Sequence, residues 1–261
     1  MNYFKKYKFR KKIDLLKTEF DKFKDPNVDI TTVYNLILPY KNIIFEYFQD
    51  YLNFVYNFDK GQITIEEDFG LYLKNILIKE RIDSIEFGTW NGLGSTKILM
   101  DYSDVSDSIE INPFINGIAK KNLLPIKKGH RLFTGRILNL NETKINLQDS
   151  FLSYEFNKKR SIIDMWFGHL IHLIFTCEGD YILNDLKKTY DLLLIDGGGL
   201  TTYDEFLAIY PRIRKYILID DIDGVKGKKI LKYLKEDQNF NLIFSSSTRQ
   251  SCVFEKTKII H

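Results

Sequence analysis

Apolar residues recur along the chain in two textures, and the change comes near residue 81. Through Lys24, in MNYFKKYKFRKKIDLLKTEFDKFK, Phe, Ile and Leu fall at roughly helical spacing, which predicts an amphipathic helix. Val28 to Phe58 carries aromatic and aliphatic positions that predict one or two more helices, interrupted near Pro39, where the ring blocks helix continuation. Thr64 and Glu67 have capping-box spacing ahead of the apolar stripe Phe69, Tyr72, Leu73, Ile76 and Leu77, so a further helix is expected to about Glu80. Beyond it, short apolar runs alternate with helical stretches, the pattern of a mostly parallel sheet with helices on both faces. The strand candidates are Ser84 to Phe87, Asp107 to Ile111, Arg131 to Thr134, Asp191 to Ile195 and Tyr216 to Ile219. NLIFSSS and SCVFEK, joined by polar turn residues, predict an antiparallel hairpin that closes the sheet. The expected fold is therefore a Rossmann-like, doubly wound α/β sheet, mostly parallel with a C-terminal antiparallel hairpin, preceded by a helical extension over residues 1–60.

Composition narrows this picture. With 44% hydrophobic and 15% aromatic residues, 261 residues can bury one substantial core. The formal net charge of +3 does not point to a polyanion. Nine Lys or Arg stand against three acidic residues up to Lys24, so that segment either binds an anionic surface or is a solvated helix packed on the domain. Because the basic excess is confined there, no nucleic-acid partner is expected. Cys177 and Cys252 lack metal-site spacing and sit in apolar surroundings, which fits a reducing compartment. No apolar run reaches the roughly 18 residues of a membrane span. A cytoplasmic protein without stable membrane insertion is expected, and a homo-oligomer is compatible with all of this.

The stretch IDSIEFGTWNGLGSTKIL carries the first chemical signal: a strand runs into Glu86-x-Gly88-x-x-x-Gly92-x-Gly94 and then a helix. Glycines in such a turn let backbone approach a ligand, and open sheets bind ligands at the carboxyl ends of their strands. Packing alone would also explain them. Glu110 ends the next strand, 22 positions after Gly88, where a carboxylate can accept hydrogen bonds from both hydroxyls of an adenosine ribose. A dinucleotide site would use the same acid but usually shows G-x-G-x-x-G, which places a helix N-terminus against pyrophosphate. S-adenosylmethionine has no phosphate and needs no such fingerprint.

At these residues the sequence resembles class I methyltransferases, particularly catechol O-methyltransferase and the antibiotic-sugar (macrocin-type) O-methyltransferases. Glu86-Phe87-Gly88-Thr89-Trp90-Asn91-Gly92 looks like that group's first motif, Glu110-Ile111-Asn112-Pro113 like its ribose-binding turn, and Lys60-Gly61-Gln62-Ile63 like a segment that precedes the first motif. The resemblance implies that residues 61–261 form the methyltransferase domain. It also implies that Glu86, Gly88, Trp90 and Ser95 surround the methionine portion of S-adenosylmethionine, that Glu110 and Ile111 hold ribose and adenine, and that Gly135 lets backbone contact adenine. Arg136 departs from the small or acidic residue common at its position.

Asp196 ends the fourth strand, and Asp220 and Asp221 end the fifth, so three carboxylates should converge on one sheet edge. Clustered carboxylates repel unless a proton or cation compensates, and oxygen ligands suit Mg²⁺. The alternative is that one or two of them cap helices or meet the cofactor's amine. The resemblance favours metal, since its enzymes place acids at these positions; there the ion would bind an acceptor hydroxyl, lower its pKa and aim it at the methyl carbon. Asp196 would then be both metal ligand and catalytic residue. Catechol-type enzymes carry a lysine base three residues after the first of these acids, where this chain has Gly199 in the run Gly197-Gly198-Gly199. His169 and His172 are the alternative bases, in a segment of about 151–189 that contains Trp166, Phe167 and Phe175 and is the candidate acceptor lid. Thr201-Thr202-Tyr203-Asp204-Glu205-Phe206 either contacts the acceptor or caps the next helix.

The preferred reading is S-adenosylmethionine-dependent, metal-assisted O-methylation of a sugar or other small hydroxylated acceptor. Two others stand beside it: a cofactor-binding scaffold of the same fold that has lost catalysis, and an NAD-dependent oxidoreductase on a Rossmann sheet.

Overall fold

The structure is a computed structural model that describes residues 11, 15–16, 18–25, 27–147 and 162–257, with backbone alone over 162–167. Along the chain, β1 (Asn27–Asp29) leads into α1 (Ile30–Ile37), a 3₁₀ turn at Leu38–Tyr40 that holds Pro39, and α2 (Lys41–Tyr56). The proline thus divides two helices where the sequence indicated. Val28 lies in strand rather than helix, because β1 pairs antiparallel with β5 (Lys144–Asn146) in a small ribbon the hydrophobic pattern did not signal. α3 (Asp68–Lys79) begins later than the capping box implied. The Glu67 carboxylate accepts the Thr64 N–H at 3.0 Å and the Glu67 N–H donates to the Thr64 carbonyl at 3.3 Å, so the pair closes a turn ahead of the helix.

The α/β part follows as β2 (Asp83–Phe87), α4 (Ser95–Tyr102), β3 (Val105–Glu110), α5 (Pro113–Asn122), β4 (His130–Thr134), α6 (Ile162–Glu178), β6 (Tyr190–Ile195), α7 (Thr202–Ile209), β7 (Ile213–Asp220), α8 (Val225–Glu236), β8 (Phe240–Ser245) and β9 (Ser251–Lys256). Seven strands form one sheet in the order β4-β3-β2-β6-β7-β9-β8. The first five are parallel, and β9 pairs antiparallel with both β7 and β8. Each predicted strand and the hairpin is present.

Alternation along β6 shows how the sheet is buried on both faces. Leu193 and Ile195 join Ile85, Phe87, Ile217, Ile219 and Phe206 on one side. Leu192 and Leu194 join Phe69, Leu73, Ile98, Leu99 and Leu218 on the other. A third cluster lies outside the sheet: Val33, Ile37, Ile44 and Phe48 of α1 and α2 pack on Leu170, Leu173, Ile174 and Phe175 of α6. The helical extension and the long connection before β6 therefore cover each other. Leu16 and Phe20, from the described part of the basic N-terminal segment, bury in the same cluster, which places that stripe on the core. The rest of that segment, and residues 151–161 of the candidate lid, lie outside the described residues, as do the side chains of Trp166 and Phe167.

Asp107 is among the polar groups sunk in the sheet. Asp107 of β3 is fully buried and accepts two hydrogen bonds from the Arg131 guanidinium, at 2.7 and 2.6 Å, and one from the Tyr190 hydroxyl at 2.5 Å. Both carboxylate oxygens are satisfied, which offsets the cost of burying the charge. Asp107→Ala is expected to lower the unfolding free energy by about 3 kcal/mol, because it strands the buried Tyr190 hydroxyl and unpairs the guanidinium; urea denaturation with an unchanged m-value would confirm it.

Candidate functional site

The site lies where β2 and β6 neighbour each other and their connections leave in opposite directions, the switch point at which open parallel sheets bind ligands. A cavity of about 760 Å³ opens there, lined by residues from the carboxyl ends of β2, β3, β6 and β7 and from α2, α6 and α8.

The turn after β2 has the backbone its glycines foretold. Gly88 has φ +88°, and a Cβ on it would lie 2.5 Å from the Asp196 carbonyl oxygen, so the ends of β2 and β6 approach more closely than any other residue permits. A Cβ on Gly61 would lie 2.1 Å from the Gly94 Cα. The Lys60-Gly61-Gln62-Ile63 segment thus docks directly on the turn, and Asn91 fixes it there by donating to the Lys60 and Phe58 carbonyls at 2.9 and 3.1 Å. Trp90 adopts φ +44°, unusual for a bulky residue, and its ring lines the cavity 5.1 Å from the Phe58 centroid.

Glu86 and Ser95 are not on the cavity wall. Glu86 is fully buried beneath the turn, where its carboxylate accepts from the Ser95 hydroxyl and, at 2.7 Å, from the Thr96 hydroxyl. Burial pushes its pKa up to about 7 against the opposing effect of these hydroxyls. The two residues hold the turn against the start of α4, so a ligand on that wall meets Gly88 and Trp90.

Glu110 stands as expected at the end of β3 and on the wall. One of its oxygens accepts the Thr89 N–H at 3.2 Å and the other the Asn112 N–H at 3.0 Å. Each oxygen keeps lone-pair capacity toward the cavity, which suits a pair of adjacent hydroxyls. Burial raises its pKa, while these backbone donors work in the other direction. Ile111, Ile115, Ile137 and Gly135 form the apolar slot beside it. Arg136 points away, donating to the Gly179 carbonyl just past the end of α6, with its guanidinium 5.9 Å from the Tyr181 ring centroid. Its unusual identity therefore does not intrude on the slot.

Asp196, Asp220 and Asp221 do converge: an oxygen from each lies within 4.8 Å of the others. Their surroundings differ. Asp220 is buried and takes a bidentate fork from Arg249 at 2.7 and 2.5 Å. Asp221, at φ +56°, is exposed at its carboxylate and lies 3.9 Å from the Lys226 ammonium, which also donates to the Gly197 carbonyl. Burial holds the Asp196 carboxyl well above its usual range; Lys226 opposes this, and the neighbouring aspartates reinforce it.

The histidines separate. His172 lines the cavity, and its Nε2 is 2.9 Å from the Thr201 hydroxyl. His169, one turn earlier, is buried away from the wall. Burial drives both down to about 4, so both are neutral at pH 7. Two glycines of the run are needed for close packing: a Cβ on Gly198 would lie 2.7 Å from the His172 ring, and one on Gly197 would lie 2.6 Å from the Thr202 hydroxyl. Those glycines accommodate the chain's own side chains. Thr201 sits at the N-cap of α7 without a side-chain cap bond, its hydroxyl being turned to His172.

Sequence reasoning missed Lys226, Arg249 and the aromatic wall of Tyr47, Tyr51 and Phe54, and named Glu205 only as part of the stretch after the glycine run. Lys226 reads as one basic residue of a solvated helix (VKGKK), yet it is only 5% exposed. An ammonium in the first turn of a helix opposes the helix dipole, which was the available signal that this lysine answers to nearby acids. Glu205 sits in the first turn of α7 and lines the cavity, and burial pushes it up to about 7.

Glu86, raised from 4.5 to about 7, adds stability that is complete below the unfolded value and is lost as pH rises through the folded one. The buried histidines act oppositely over an overlapping range, so the comparison that isolates Glu86 is with Glu86→Gln. Its unfolding free energy, measured by urea titration, should fall less than that of the parent between pH 5 and 8, by roughly 3 kcal/mol. Arg249→Met should cost about 3 kcal/mol by the same assay, because Asp220 is left buried and unpaired, and Asp220→Asn should restore most of it.

No family model matches the chain, and no curated protein does so. Among solved structures, an O-methyltransferase from Bacillus cereus in complex with SAH aligns with a TM-score of 0.51 at 12% identity, covering 82% of this chain and 90% of that one. The SAH-bound methyltransferase PaMTH1 of Podospora anserina aligns at 0.48 and 11% identity, over 79% and 88%. TomG of Streptomyces achromogenes, an O-methyltransferase involved in tomaymycin synthesis and solved with SAM, aligns at 0.45 and 11% identity, over 71% and 78%. With the sheet order, the antiparallel closing strands and the Bacillus cereus superposition in agreement, this chain has the Rossmann-like methyltransferase fold.

Proposed function

We propose that the protein is an S-adenosylmethionine-dependent O-methyltransferase acting, with the help of a divalent cation, on a sugar or other small hydroxylated acceptor. The observation that carries this reading is Glu110: a carboxylate held by one backbone amide per oxygen, at the lip of a cavity with an apolar slot beside it. Adenosine fits the acid and the slot, and the methionine portion then runs past Gly88 and Trp90 toward Asp196.

The acid cluster fits a hard cation through its donor set. Asp196 and Asp221 would be the principal ligands, and Asp220, whose oxygens are shared with Arg249, would orient or complete the site. When bound, such an ion supplies Lewis acidity to an acceptor hydroxyl. The chain's own residues do the rest: Glu110 fixes the cofactor, Trp90 and the aromatic wall exclude water, and His172 is the uncharged base on the wall that takes the proton. His169 has no part in this.

Titration calorimetry tests the foundation. S-adenosylmethionine should bind and NAD should not, and Glu110→Ala should weaken S-adenosylmethionine binding about 100-fold, the loss of two hydrogen bonds to a charged acceptor. Mg²⁺ should bind the wild type and not Asp196→Asn/Asp221→Asn. Binding of NAD instead would remove the methyltransferase reading, and absence of Mg²⁺ binding would remove only the metal.

A further inference from the structure

A second cavity, of about 490 Å³, lies beside the first and is bounded by the β1–β5 ribbon, the turn before α7, and the starts of α7 and α8. Lys226 lines both cavities. Its ammonium is hydrogen-bonded to the Gly197 carbonyl and 3.9 Å from Asp221, so the residue shared by the two cavities stands at the acid cluster, where the methyl group would be delivered.

The second cavity differs from the first in chemistry. The cofactor cavity is walled by isoleucines and aromatic rings. The second presents Asn27 and Asn146 from the two strands of the ribbon, Glu142 and Lys144 beside them, and Tyr203 and Lys229 across from them. Asn146 donates to Asn27 at 3.2 Å, and the Lys229 ammonium lies 5.8 Å from the Tyr203 centroid. With Asp25 and Asp204 included, three carboxylates balance three ammonium groups, so the lining favours neither an anion nor a cation. A planar apolar acceptor would desolvate these groups without replacing their hydrogen bonds; a neutral molecule with many hydroxyls, both donor and acceptor, would satisfy them. The Tyr203 ring supplies a face for the C–H side of such a molecule. The volume lies within the range of small-molecule sites.

We propose that this second cavity is the acceptor subsite, that it takes a neutral polyhydroxylated ring such as a glycoside, and that Lys226, at the junction, positions the hydroxyl to be methylated. The inference rests on the methyltransferase reading for the role of the first cavity. It places the acceptor on the β1–β5 ribbon and α7, not against the aromatic wall of α2.

Saturation-transfer NMR on the full chain tests it, with S-adenosylhomocysteine present and with methyl glycosides of glucose, galactose, mannose and rhamnose, and catechol, as separate probes. At least one glycoside should receive saturation, and Asn146→Leu and Tyr203→Ala should each weaken its binding about tenfold. Both variants should keep the wild-type affinity for S-adenosylhomocysteine, which also reports that they are folded. Saturation of catechol alone, of no probe, or of a glycoside equally in the wild type and both variants overturns the inference while leaving the cofactor assignment intact. Failure of S-adenosylhomocysteine to bind the wild type overturns both together.

Discussion

The ends of β2 and β6 meet so closely that a Cβ on Gly88 would fall 2.5 Å from the Asp196 carbonyl oxygen, and the geometry of the site follows from that contact. Gly88 donates to the Ile109 carbonyl on one side, while the Asp196 N–H donates to the Phe87 carbonyl on the other, so three neighbouring strands end in register. Their connections must then diverge, since β3 continues the sheet on one side of β2 and β6 on the other. The crevice is the space those connections leave. Glu110 on one side and Asp196 on the other are brought to it by strand register alone.

Around the crevice the protein buries an unusual density of acid. Glu86, Glu205, Asp196 and Asp220 are all largely withdrawn from water, and each is handled differently. Glu86 is bound by hydroxyls and biased toward its neutral form. Asp220 is matched by the Arg249 fork. Asp196 has the nearby Lys226 ammonium but remains disfavoured as an anion. A fold selected for stability alone would gain from replacing such groups with packed apolar side chains. Carboxylates withdrawn from water at the end of a parallel sheet fit the chemistry proposed for the crevice.

The helical extension takes part in the same arrangement. α2 packs on α6 through Phe48 and Phe175, whose centroids are 5.7 Å apart, and the same helix turns Tyr47, Tyr51 and Phe54 toward the cavity. Tyr34 of α1 donates to Glu178 at 2.5 Å, which ties the preceding helix to the end of α6 as well. An addition outside the sheet thus forms one wall of the site.

The strands, the glycine turn, Glu110 and the three aspartates were legible in the sequence because each depends on local rules: alternation, turn backbone, and the position of an acid at a strand end. The sequence by itself also determined the two helices divided at Pro39 and the closing hairpin. Tertiary structure decided the rest. Glu86 and Ser95 face each other instead of the cavity, because alternation along the strand turns Glu86 away from the side on which Phe87 lines it. His172 reaches the wall and His169 does not, a difference of helix rotation that depends on how α6 seats on α1 and α2. The role of Gly198 appears only with the His172 ring against it. Apart from the unfavourable first-turn position of Lys226, nothing local distinguishes Lys226 and Arg249 from solvated charges; the folded sheet, by gathering acids at one edge, gives the two cations their partners.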